Sequence, residues 1–351
     1  MTTATFCTSD GVEYVVPVAA PSGDGSGVTL LDAAEAAGYT LVSMCHHGGC
    51  GVCHARIGEG RAQMMDHSES VLDGEAVAAG EILLCCAQPE GDVRVDLPYD
   101  SSRVLTGAVP VRTVTVASLD RWAGDIVRLL VQVDDSPEYG VAMQFDPGQF
   151  AELTPPDGQR SRAYSFASVG NWDGTAEFYV KLREGGYFSD YLEHSAAVGD
   201  KLTMRGPLGA FGLKENGSRP RWMVCGGTGL APFMSLLRRM AEWGETQPVL
   251  LILGVNTPAE VFALDEIKDL QAELPSLRFL NPVVSPDAAW NGPVGTAVDI
   301  MDAELGGLPD GVERPDIYLC GPPAFLDAAR AGAIARGVPD GQIYEERILR
   351  N

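Results

Sequence analysis

The chain has 351 residues, more than one hydrophobic core usually organises, so its length predicts two or three domains. Its formal charge of −23 argues against nucleic acid as a partner, because phosphate binding requires basic patches. No apolar run approaches the roughly 18–20 residues that cross a bilayer, and the first twenty residues lack a basic segment followed by an apolar one. We therefore expect a cytoplasmic protein that binds neither nucleic acid nor a membrane.

The acidic charge is concentrated near the start of the chain. Residues 1–98 hold 14 acidic and 3 basic side chains, against 16 and 11 in residues 99–218 and 18 and 11 in residues 219–351. One interpretation is that this charge only promotes solubility. The other is a docking face for a basic partner protein, since opposite charges raise encounter rates.

The first predicted elements are short. Residues 4–18 (ATFCTSDGVEYVVPV) predict two strands around an Asp-Gly turn. The segment TLLDAAEAA predicts a helix that is capped by Thr29 and terminated by Gly38. Two further strand-like pieces, ILLC and DVRVDL, follow a cysteine-rich loop, and residues 98–103 (PYDSSR) are typical of a linker.

The middle and the end of the chain differ in character. From about Leu105 to Glu215 many short strand-like runs, such as DIVRLLVQV and AEFYVKL, are separated by Gly and Pro, which predicts a small antiparallel barrel. After Pro220 strand-like runs such as VLLILGV alternate with helical stretches such as APFMSLLRRMAEWG, which predicts βαβ units and a parallel sheet.

The cysteine-rich loop is CHHGGCGVC. Its spacing is Cys45-x4-Cys50-x2-Cys53, with 31 residues between Cys53 and Cys85 and 32 between Cys53 and Cys86. A plant-type [2Fe–2S] ferredoxin has this spacing, because three thiolates come from one tight loop and the fourth from elsewhere in the fold. Period-two alternation does not separate the two neighbouring cysteines, and we prefer Cys85 because it ends a buried run.

Other uses of the loop fit its sequence less well. An x4 spacing is unusual for zinc, no C-x2-H follows as a Rieske centre requires, and the CxxC does not open a helix in a βαβ unit. The glycines Gly48, Gly49 and Gly51 permit positive φ and let backbone N–H groups approach the cluster sulfurs. We interpret His46 and its neighbouring histidines as exposed loop residues, not ligands.

Two motifs in the predicted barrel are suited to a flavin. In SRAYSFAS an extended strand puts Arg162 and Tyr164 on one face and Ser165 on the other, so that the guanidinium can hold a pyrophosphate and the phenol ring can lie against a flat heterocycle. The segment GGYFSDYL places Gly186 and Ser189 where a helix is expected to begin, and its backbone N–H groups would form an anion site. The pyrophosphate of FAD is the natural occupant.

Two motifs in the last part of the chain are suited to a nicotinamide nucleotide. VCGGTGLAPFMSLL is a glycine turn between a strand and a helix, and its position at the first βα crossover strengthens an otherwise weak signal. DIYLCGPPAFL is a second strand that ends in Cys-Gly-Pro-Pro. Taken alone, it could equally be a buried cysteine before a turn.

Together these motifs resemble the ferredoxin–NAD(P)+ reductase superfamily, and specifically the iron–sulfur flavoprotein reductases of bacterial multicomponent oxygenases. FDPGQFAEL, SRAYSF, GYFSDYL, GPLGAFGLKENG, GGTGLAPFMSLLRRM, GVNTPAEVFALDE and DIYLCGPP occur in family order over essentially the whole chain. They look closest to the reductase component of soluble diiron monooxygenases that act on methane, alkenes or propane.

The resemblance implies a multidomain protein of α+β and α/β class. We predict a β-grasp [2Fe–2S] ferredoxin domain over residues 1–98, a linker over 99–104, an antiparallel β-barrel FAD domain over 105–218 and a parallel-sheet α/β NAD domain over 219–351. The implied cluster ligands are Cys45, Cys50, Cys53 and Cys85. The implied FAD-binding residues are Arg162, Ala163, Tyr164, Ser165, Val180, Lys181, Gly186, Phe188 and Ser189. The implied NAD-binding residues are Gly226, Gly227, Thr228, Gly229, Glu260, Cys320, Gly321 and Pro322.

The resemblance also implies catalytic positions and one departure from the family pattern. Ser165 would lie near the flavin N5, and Cys320, with Thr228, would approach the nicotinamide during hydride transfer. Relatives often have an aromatic residue after an acidic–basic pair near the C-terminus, stacked near the flavin. Here that position is Ile348, and Tyr344 is the candidate substitute.

The choice between NADH and NADPH is predicted from GVNTPAEVF. NADP-specific enzymes of the superfamily usually place basic residues after this strand to pair with the 2′-phosphate. This chain has Asn256, Thr257 and Glu260 there, and no basic residue until Lys268. Because an acidic residue repels the phosphate, we expect NADH.

The sequence therefore predicts a monomeric NADH:acceptor oxidoreductase. Electrons would pass from NADH through FAD and the [2Fe–2S] cluster to a diiron hydroxylase that docks on the acidic ferredoxin domain. Two alternatives stay open at this point. The partner could be a Rieske-type ring-hydroxylating dioxygenase, or the chain could be a redox sensor that binds the cofactors with little turnover.

Overall fold

The computed structural model describes residues 2–19, 27–43, 46, 48–49, 51–69, 71–215, 217–309 and 311–348. Its contacts divide the chain into two compact units, Met1–Pro110 and Val111–Asn351. The predicted cluster loop belongs to the first unit, whereas both the flavin and the nicotinamide motifs belong to the second. The finer domain boundaries drawn from the sequence stay predictions.

The first unit is built on a five-stranded mixed sheet with the order β2-β1-β8-β4-β6. Strand β1 pairs antiparallel with β2 and parallel with β8, which is the arrangement of a β-grasp fold. In chain order the elements are β1 (Thr2–Cys7), β2 (Glu13–Val18), α1 (Leu30–Ala36), β3 (Tyr39–Thr40), β4 (His54–Glu59), β5 (Ala62–Met64), α2 (Gly74–Ala78), β6 (Glu81–Leu83), β7 (Ala87–Pro89), β8 (Val93–Asp96) and β9 (Leu105–Thr106).

Local sequence signals account for the start of this unit. The predicted hairpin over residues 4–18 and the predicted helix are both confirmed. The Thr29 side chain accepts a hydrogen bond from the backbone N–H of Asp32, and Gly38 follows α1 with a φ of +83°. Helix α1 buries Leu30 and its apolar neighbours in the core of the unit.

The segment after β8 stays hydrogen-bonded to the first unit. Ser101, which begins a 3₁₀ turn, donates from its N–H and its hydroxyl to Asp10 at 3.0 and 2.6 Å. Strand β9 then pairs with β3, and the Gly107 N–H donates to the Gly38 carbonyl at 2.8 Å. The chain is therefore attached to the first unit as far as Gly107.

The second unit begins with a six-stranded antiparallel sheet with the order β13-β12-β15-β10-β11-β14. A bridge between Phe166 and Phe178 joins its two ends, which closes the predicted barrel around an apolar core. The elements are β10 (Val111–Ala123), β11 (Ile126–Val133), β12 (Phe150–Thr154), β13 (Arg162–Ser165), β14 (Thr175–Lys181), α3 (Tyr187–His194) and β15 (Lys201–Leu208).

The rest of the second unit is a five-stranded parallel sheet with the order β18-β17-β16-β19-β20. Helices α4 and α5 pack on one face and helices α6 and α7 on the other, so the central strands are apolar on both faces. The elements are β16 (Arg221–Gly226), α4 (Leu230–Glu242), β17 (Val249–Gly254), α5 (Leu264–Glu273), β18 (Leu277–Leu280), α6 (Ala297–Gly306), β19 (Asp316–Gly321), α7 (Pro323–Ala335) and β20 (Ile343–Arg347).

The strand order fixes where a ligand can bind in this sheet. The chain reverses direction across the sheet at β16, whose neighbours are β17 and β19. In such open sheets ligands bind outside the carboxyl ends of the strands at the reversal point. The longest helices, α4 and α7, have 13 residues each, and in the part of the chain that the structure covers no helix has the length and apolar character needed to cross a bilayer.

Candidate functional site

The predicted cluster ligands of the first unit are only partly placed. Cys45 and Cys50 lie outside the described residues. Cys53 and Cys85 are described and lie side by side, with their Sγ atoms 3.3 Å apart and side chains 2% and 8% exposed. The expectation that Cys85 ends a strand is wrong, because β6 ends at Leu83 and residues 84–86 form a turn. This turn brings the Cys85 sulfur to Cys53.

The surroundings of these sulfurs fit a cluster. Cys86 is also buried, with its Sγ 3.7 Å from that of Cys85. Gly48 and Gly51 both have positive φ, at +72° and +74°, and a Cβ on Gly48 would lie 2.8 Å from the Cys86 sulfur. The loop can therefore approach the sulfurs this closely only with glycine at that position. Converging thiols beside a glycine loop suit a [2Fe–2S] cluster, and Cys85 stays the predicted fourth ligand.

The histidines of the loop have other partners. The Nε2 atom of His54, in β4, lies 2.8 Å from Glu81 Oε2. The Nε2 atom of His46 lies 3.4 Å from the Ser43 hydroxyl, and the side chain of His46 is exposed. His47 lies outside the described residues. His46 is therefore exposed in the loop, as expected, whereas the expectation of an exposed loop residue is wrong for His54, which lies within β4 and is partly buried.

A cavity of about 290 Å³ lies in the second unit, where strands β16 and β17 end. Six residues predicted from the sequence to bind cofactors line it together: Lys181, Gly226, Gly227, Thr228, Glu260 and Pro322. Sequence reasoning missed several further lining residues: Arg183, Gly254, Val255, Val284, Thr296, Ala297 and Phe325. The cavity therefore joins the end of barrel strand β14 to the carboxyl edge of the parallel sheet.

Glycines allow the backbone to close around this cavity. Gly229, in the turn between β16 and α4, packs so tightly that a Cβ would lie 2.5 Å from the Cys320 carbonyl oxygen. A Cβ on Gly254, at the end of β17, would lie 2.9 Å from that of Ala297. Both contacts require glycine because the clashing atoms belong to the backbone or to a Cβ. The predicted glycine turn thus lies where a dinucleotide phosphate can approach the backbone.

Helix α6 begins at the cavity, and a sequence signal for it was available. The Thr296 side chain accepts from the backbone N–H of Asp299, and the Asp299 carboxylate accepts from the backbone N–H of Thr296. These reciprocal bonds form a capping box, which Thr-x-x-Asp in the sequence could have revealed. The hydrogen bonds of the Thr296 backbone and side chain hold the pKa of the Asp299 carboxyl below its usual range.

Cys320, predicted to approach the nicotinamide, is fully buried at 0% exposure. It faces Cys225 in the register of β16 and β19. Burial, and then the charge of Glu346, raise the pKa of the Cys320 thiol well above its usual value. The thiol therefore stays protonated at neutral pH, and its approach to a nicotinamide stays a prediction.

Lys181 links the barrel to the sheet at this cavity. Its Nζ atom lies 3.1 Å from Asp125 Oδ2 and 3.7 Å from Glu260 Oε2. Glu260 also accepts hydrogen bonds from the Thr257 hydroxyl and the Asn256 amide, both at 3.2 Å. The acidic residue from which the choice of NADH was predicted is thus paired with a cation.

The predicted flavin residues lie along β13 and at the start of α3. Tyr164 packs with its ring 5.1 Å from the ring of Phe188, and burial raises the pKa of its phenol. The Arg162 guanidinium lies 6.0 Å from the ring of Tyr187, the first residue of α3. Arg162 and the start of α3 are therefore brought together, as binding of one pyrophosphate requires.

The first turn of α3 suits an anion. Among the residues that the structure covers, no side chain caps this turn, which follows Gly186. The Ser189 hydroxyl accepts from the Arg183 N–H at 2.9 Å and so fixes the loop before the helix. Uncapped N–H groups beside an arginine fit the pyrophosphate of FAD. The side chains of Phe188 and Val180 belong to the barrel core, so only their backbone atoms can reach a ligand.

Ile348, which stands where relatives often have a C-terminal aromatic residue, directly follows β20. Ile348 lines the cavity, and its N–H donates to the Gly321 carbonyl at 2.8 Å. Tyr344 stacks on Tyr318 at 5.0 Å between ring centroids. Ile348 and not Tyr344 is therefore among the residues that line this cavity, and the role of Tyr344 as a substitute aromatic near the flavin stays a prediction.

Three family models match the chain. The first is a 2Fe-2S iron–sulfur cluster binding domain over residues 22–90. The second is an oxidoreductase FAD-binding domain over residues 112–212, and the third is an oxidoreductase NAD-binding domain over residues 223–331. The FAD model covers the barrel and the NAD model covers the parallel sheet apart from its last strand, β20, so the predicted fold classes and cofactors are confirmed.

Relatives extend the match to nearly the whole chain. The reductase component of propane 2-monooxygenase from Rhodococcus jostii (strain RHA1) is 33% identical over 92% of this chain and 87% of its own length. The toluate 1,2-dioxygenase electron transfer component from Pseudomonas putida is 31% identical over 92% and 93%. Among solved structures, a cytochrome P450 reductase from Amycolatopsis has a TM-score of 0.77 and 27% identity over 98% of both chains.

Proposed function

This chain belongs to the iron–sulfur flavoprotein reductases of multicomponent oxygenases, and from that premise we propose that it delivers electrons from NADH to the hydroxylase of a propane-type diiron monooxygenase. The single observation that supports this proposal best is the cavity of the second unit. It joins barrel residues, Lys181 and Arg183, to the glycine turn after β16. A nicotinamide bound there would lie between the FAD domain and the NAD domain.

When bound, FAD accepts a hydride from NADH, and the cluster carries single electrons onward. The chain itself binds and orients the reactants. The backbone at Gly226 and Gly227 faces the cavity without side chains, so that phosphate oxygens can approach it. Glu260 offers its carboxylate to ribose hydroxyl groups, and Ile348 covers the cavity on the side of β20.

The residues assigned to FAD have separate tasks in this proposal. Arg162 neutralises the pyrophosphate beside the uncapped turn of α3. Tyr164 supplies a ring that its contact with Phe188 holds in place. Ser165, the last residue of β13, would donate a hydrogen bond from its hydroxyl to the bound flavin. Cys320 stays neutral because it is buried, and it therefore adds no charge at the site of hydride transfer.

The acidic first unit is proposed as the docking site of the oxygenase. Residues 1–98 carry 14 acidic and only 3 basic side chains, and this part of the chain holds the cluster cysteines. A basic hydroxylase would be steered to the part of the chain from which electrons leave. Cys53 and Cys85, whose sulfurs lie 3.3 Å apart, would hold the cluster on that unit together with Cys45 and Cys50.

Reconstitution tests the choice of partner. The holoprotein is combined with NADH and the other purified components of propane 2-monooxygenase, and propane oxidation is compared with that supported by an equal concentration of free ferredoxin that dithionite keeps reduced. We expect the holoprotein to support oxidation at least tenfold better. Equal support by the free ferredoxin would overturn the assignment to a monooxygenase.

The second candidate is a reductase of a ring-hydroxylating dioxygenase, which the toluate 1,2-dioxygenase relative favours. The same holoprotein combined with the oxygenase of that system tests it, and higher turnover there would reverse the order of the two candidates. NADH oxidation with ferricyanide or cytochrome c separates both from a redox sensor. A reductase turns over many times per second, whereas a sensor turns over very slowly.

A further inference from the structure

Lys181 is held between two carboxylates that come from different parts of the second unit. Asp125, in the turn between β10 and β11, lies 3.1 Å from its Nζ atom, and Glu260, after β17, lies 3.7 Å from it. The side chains of Lys181 and Glu260 are 26% and 23% exposed, so water reaches the pair only in part. Both residues line the cavity that we propose for NADH.

The carboxylate of Glu260 is fixed on its own turn. Thr257 donates to one oxygen and Asn256 to the other, each at 3.2 Å. A ribose hydroxyl that donates to Glu260 Oε2, at about 2.7 Å, would lie no more than about 6.5 Å from the Lys181 ammonium, since the ion pair itself spans 3.7 Å. A phosphate on that hydroxyl would therefore meet a cation as well as the carboxylate.

We propose that Lys181 is a specificity-determining residue, a latent site for the 2′-phosphate of NADPH that its pairing with Glu260 masks. The inference rests on the proposed function, in which the ribose of the adenosine half binds at Glu260. With both carboxylates present, Asp125, Glu260 and Lys181 together carry a net charge of −1, and the ammonium lies within ion-pair distance of both carboxylates. Without the Glu260 charge the ammonium can turn to the phosphate, and no added basic residue is needed.

The test measures binding on the FAD-loaded protein, separately from turnover. Isothermal titration gives the dissociation constants of 2′-phospho-ADP-ribose and of ADP-ribose, and the first divided by the second reports discrimination against the phosphate. Glu260→Gln should lower this ratio about tenfold, because it removes repulsion and also releases Lys181. Adding Lys181→Met to Glu260→Gln should reverse most of the gain, because only the loss of repulsion then remains.

A matched control separates the local pairing from total charge. Asp265 is exposed in the first turn of α5 and does not line the cavity, so Asp265→Asn removes one negative charge from the same domain. Its ratio should equal that of the wild type. An equal fall for Glu260→Gln with and without Lys181→Met would overturn the proposal, as would no fall for Glu260→Gln.

Failure of the Lys181 proposal and failure of the proposed reductase function give different results in these experiments. Wild-type protein that does not oxidise NADH would contradict the reductase assignment itself. Wild-type protein that oxidises NADH and binds ADP-ribose, but whose variants show no coupling between positions 181 and 260, would overturn only the masking of Lys181.

Discussion

At the scale of single residues, the positions of the Cys85 and Cys86 sulfur atoms bear on which of the two residues is the fourth cluster ligand. Cys85 Sγ lies 3.3 Å from Cys53 Sγ, whereas Cys86 lies next to Cys85 at 3.7 Å. We expect Cys85→Ala to lose the iron and the visible absorbance of the cluster, while NADH still reduces the flavin, which the second unit binds. The matched change Cys86→Ala should retain iron. Iron retained in Cys85→Ala and lost in Cys86→Ala would reverse the ligand assignment.

Cys320 gives a prediction of pH dependence. Burial raises the pKa of its thiol well above the value that it has in the unfolded chain. The unfolded thiol ionises near pH 8.5, so above that pH the unfolded state is stabilised relative to the folded one. The thermal midpoint should therefore fall as the pH rises from 8 to 10. This fall should be smaller in Cys320→Ser. An identical dependence of the thermal midpoint on pH in both proteins would contradict the raised pKa of the Cys320 thiol.

At the scale of elements, the carboxylate of Glu177 connects two strands of the barrel to a helix of the NAD-binding sheet. Glu177, buried in β14, pairs with Arg128 of β11 at 2.7 Å and with Arg238 of α4 at 2.8 Å. Arg238 also donates to the Ala167 carbonyl at 2.8 Å. Because β14 ends and α4 begins at the cavity, this cluster fixes the barrel against the NAD-binding sheet where the two meet.

Glu177→Gln should destabilise the second unit by about 2 kcal/mol. The figure is below the usual effect of breaking a buried pair because both arginines are partly exposed to water. The matched change is Glu304→Gln, which breaks the more exposed pair with Arg278 and should alter stability by less than about 1 kcal/mol. Thermal unfolding followed by flavin fluorescence measures both, and equal shifts would show that the Glu177 cluster does not join the two parts.

Some boundaries of the helices and strands could be predicted from the sequence, and others could not. Thr29 and Gly38 predicted both ends of α1, because capping is decided by neighbouring residues. The run ILLCC does not show that β6 ends at Leu83, since an apolar turn and an apolar strand look alike in sequence. Strand β20 escaped prediction because Glu346 is buried within it despite its charge.

In the candidate site, residues within local motifs could be predicted from the sequence, whereas contacts between distant segments could not. The glycine turn after a strand carries a local signal and predicted Gly226, Gly227 and Thr228, whereas the resemblance implied three further lining residues, Lys181, Glu260 and Pro322. The pairing of Lys181 with Glu260 was not predicted, since it depends on a barrel strand and a turn of the sheet that are distant in sequence. The acidic residue alone suggested repulsion of NADPH, and only the fold revealed the cation beside it.

At the scale of the whole molecule, the residues predicted to bind FAD and NADH and the residues predicted to bind the cluster lie in different units. The cavity and the flavin residues belong to residues 111–351, whereas the cluster cysteines belong to residues 1–110. The first part of the chain also carries the largest excess of acidic side chains. We therefore propose that electrons from NADH enter in the second unit and leave for the partner from the first.

Anaerobic stopped-flow mixing with NADH tests the order in which the flavin and the cluster are reduced. Flavin and cluster absorbance are followed together in the complete protein and in protein from which FAD has been removed. We expect the flavin to be reduced first and the cluster to follow, and we expect no cluster reduction in the FAD-free protein. Reduction of the cluster by NADH at an undiminished rate in the FAD-free protein would contradict it.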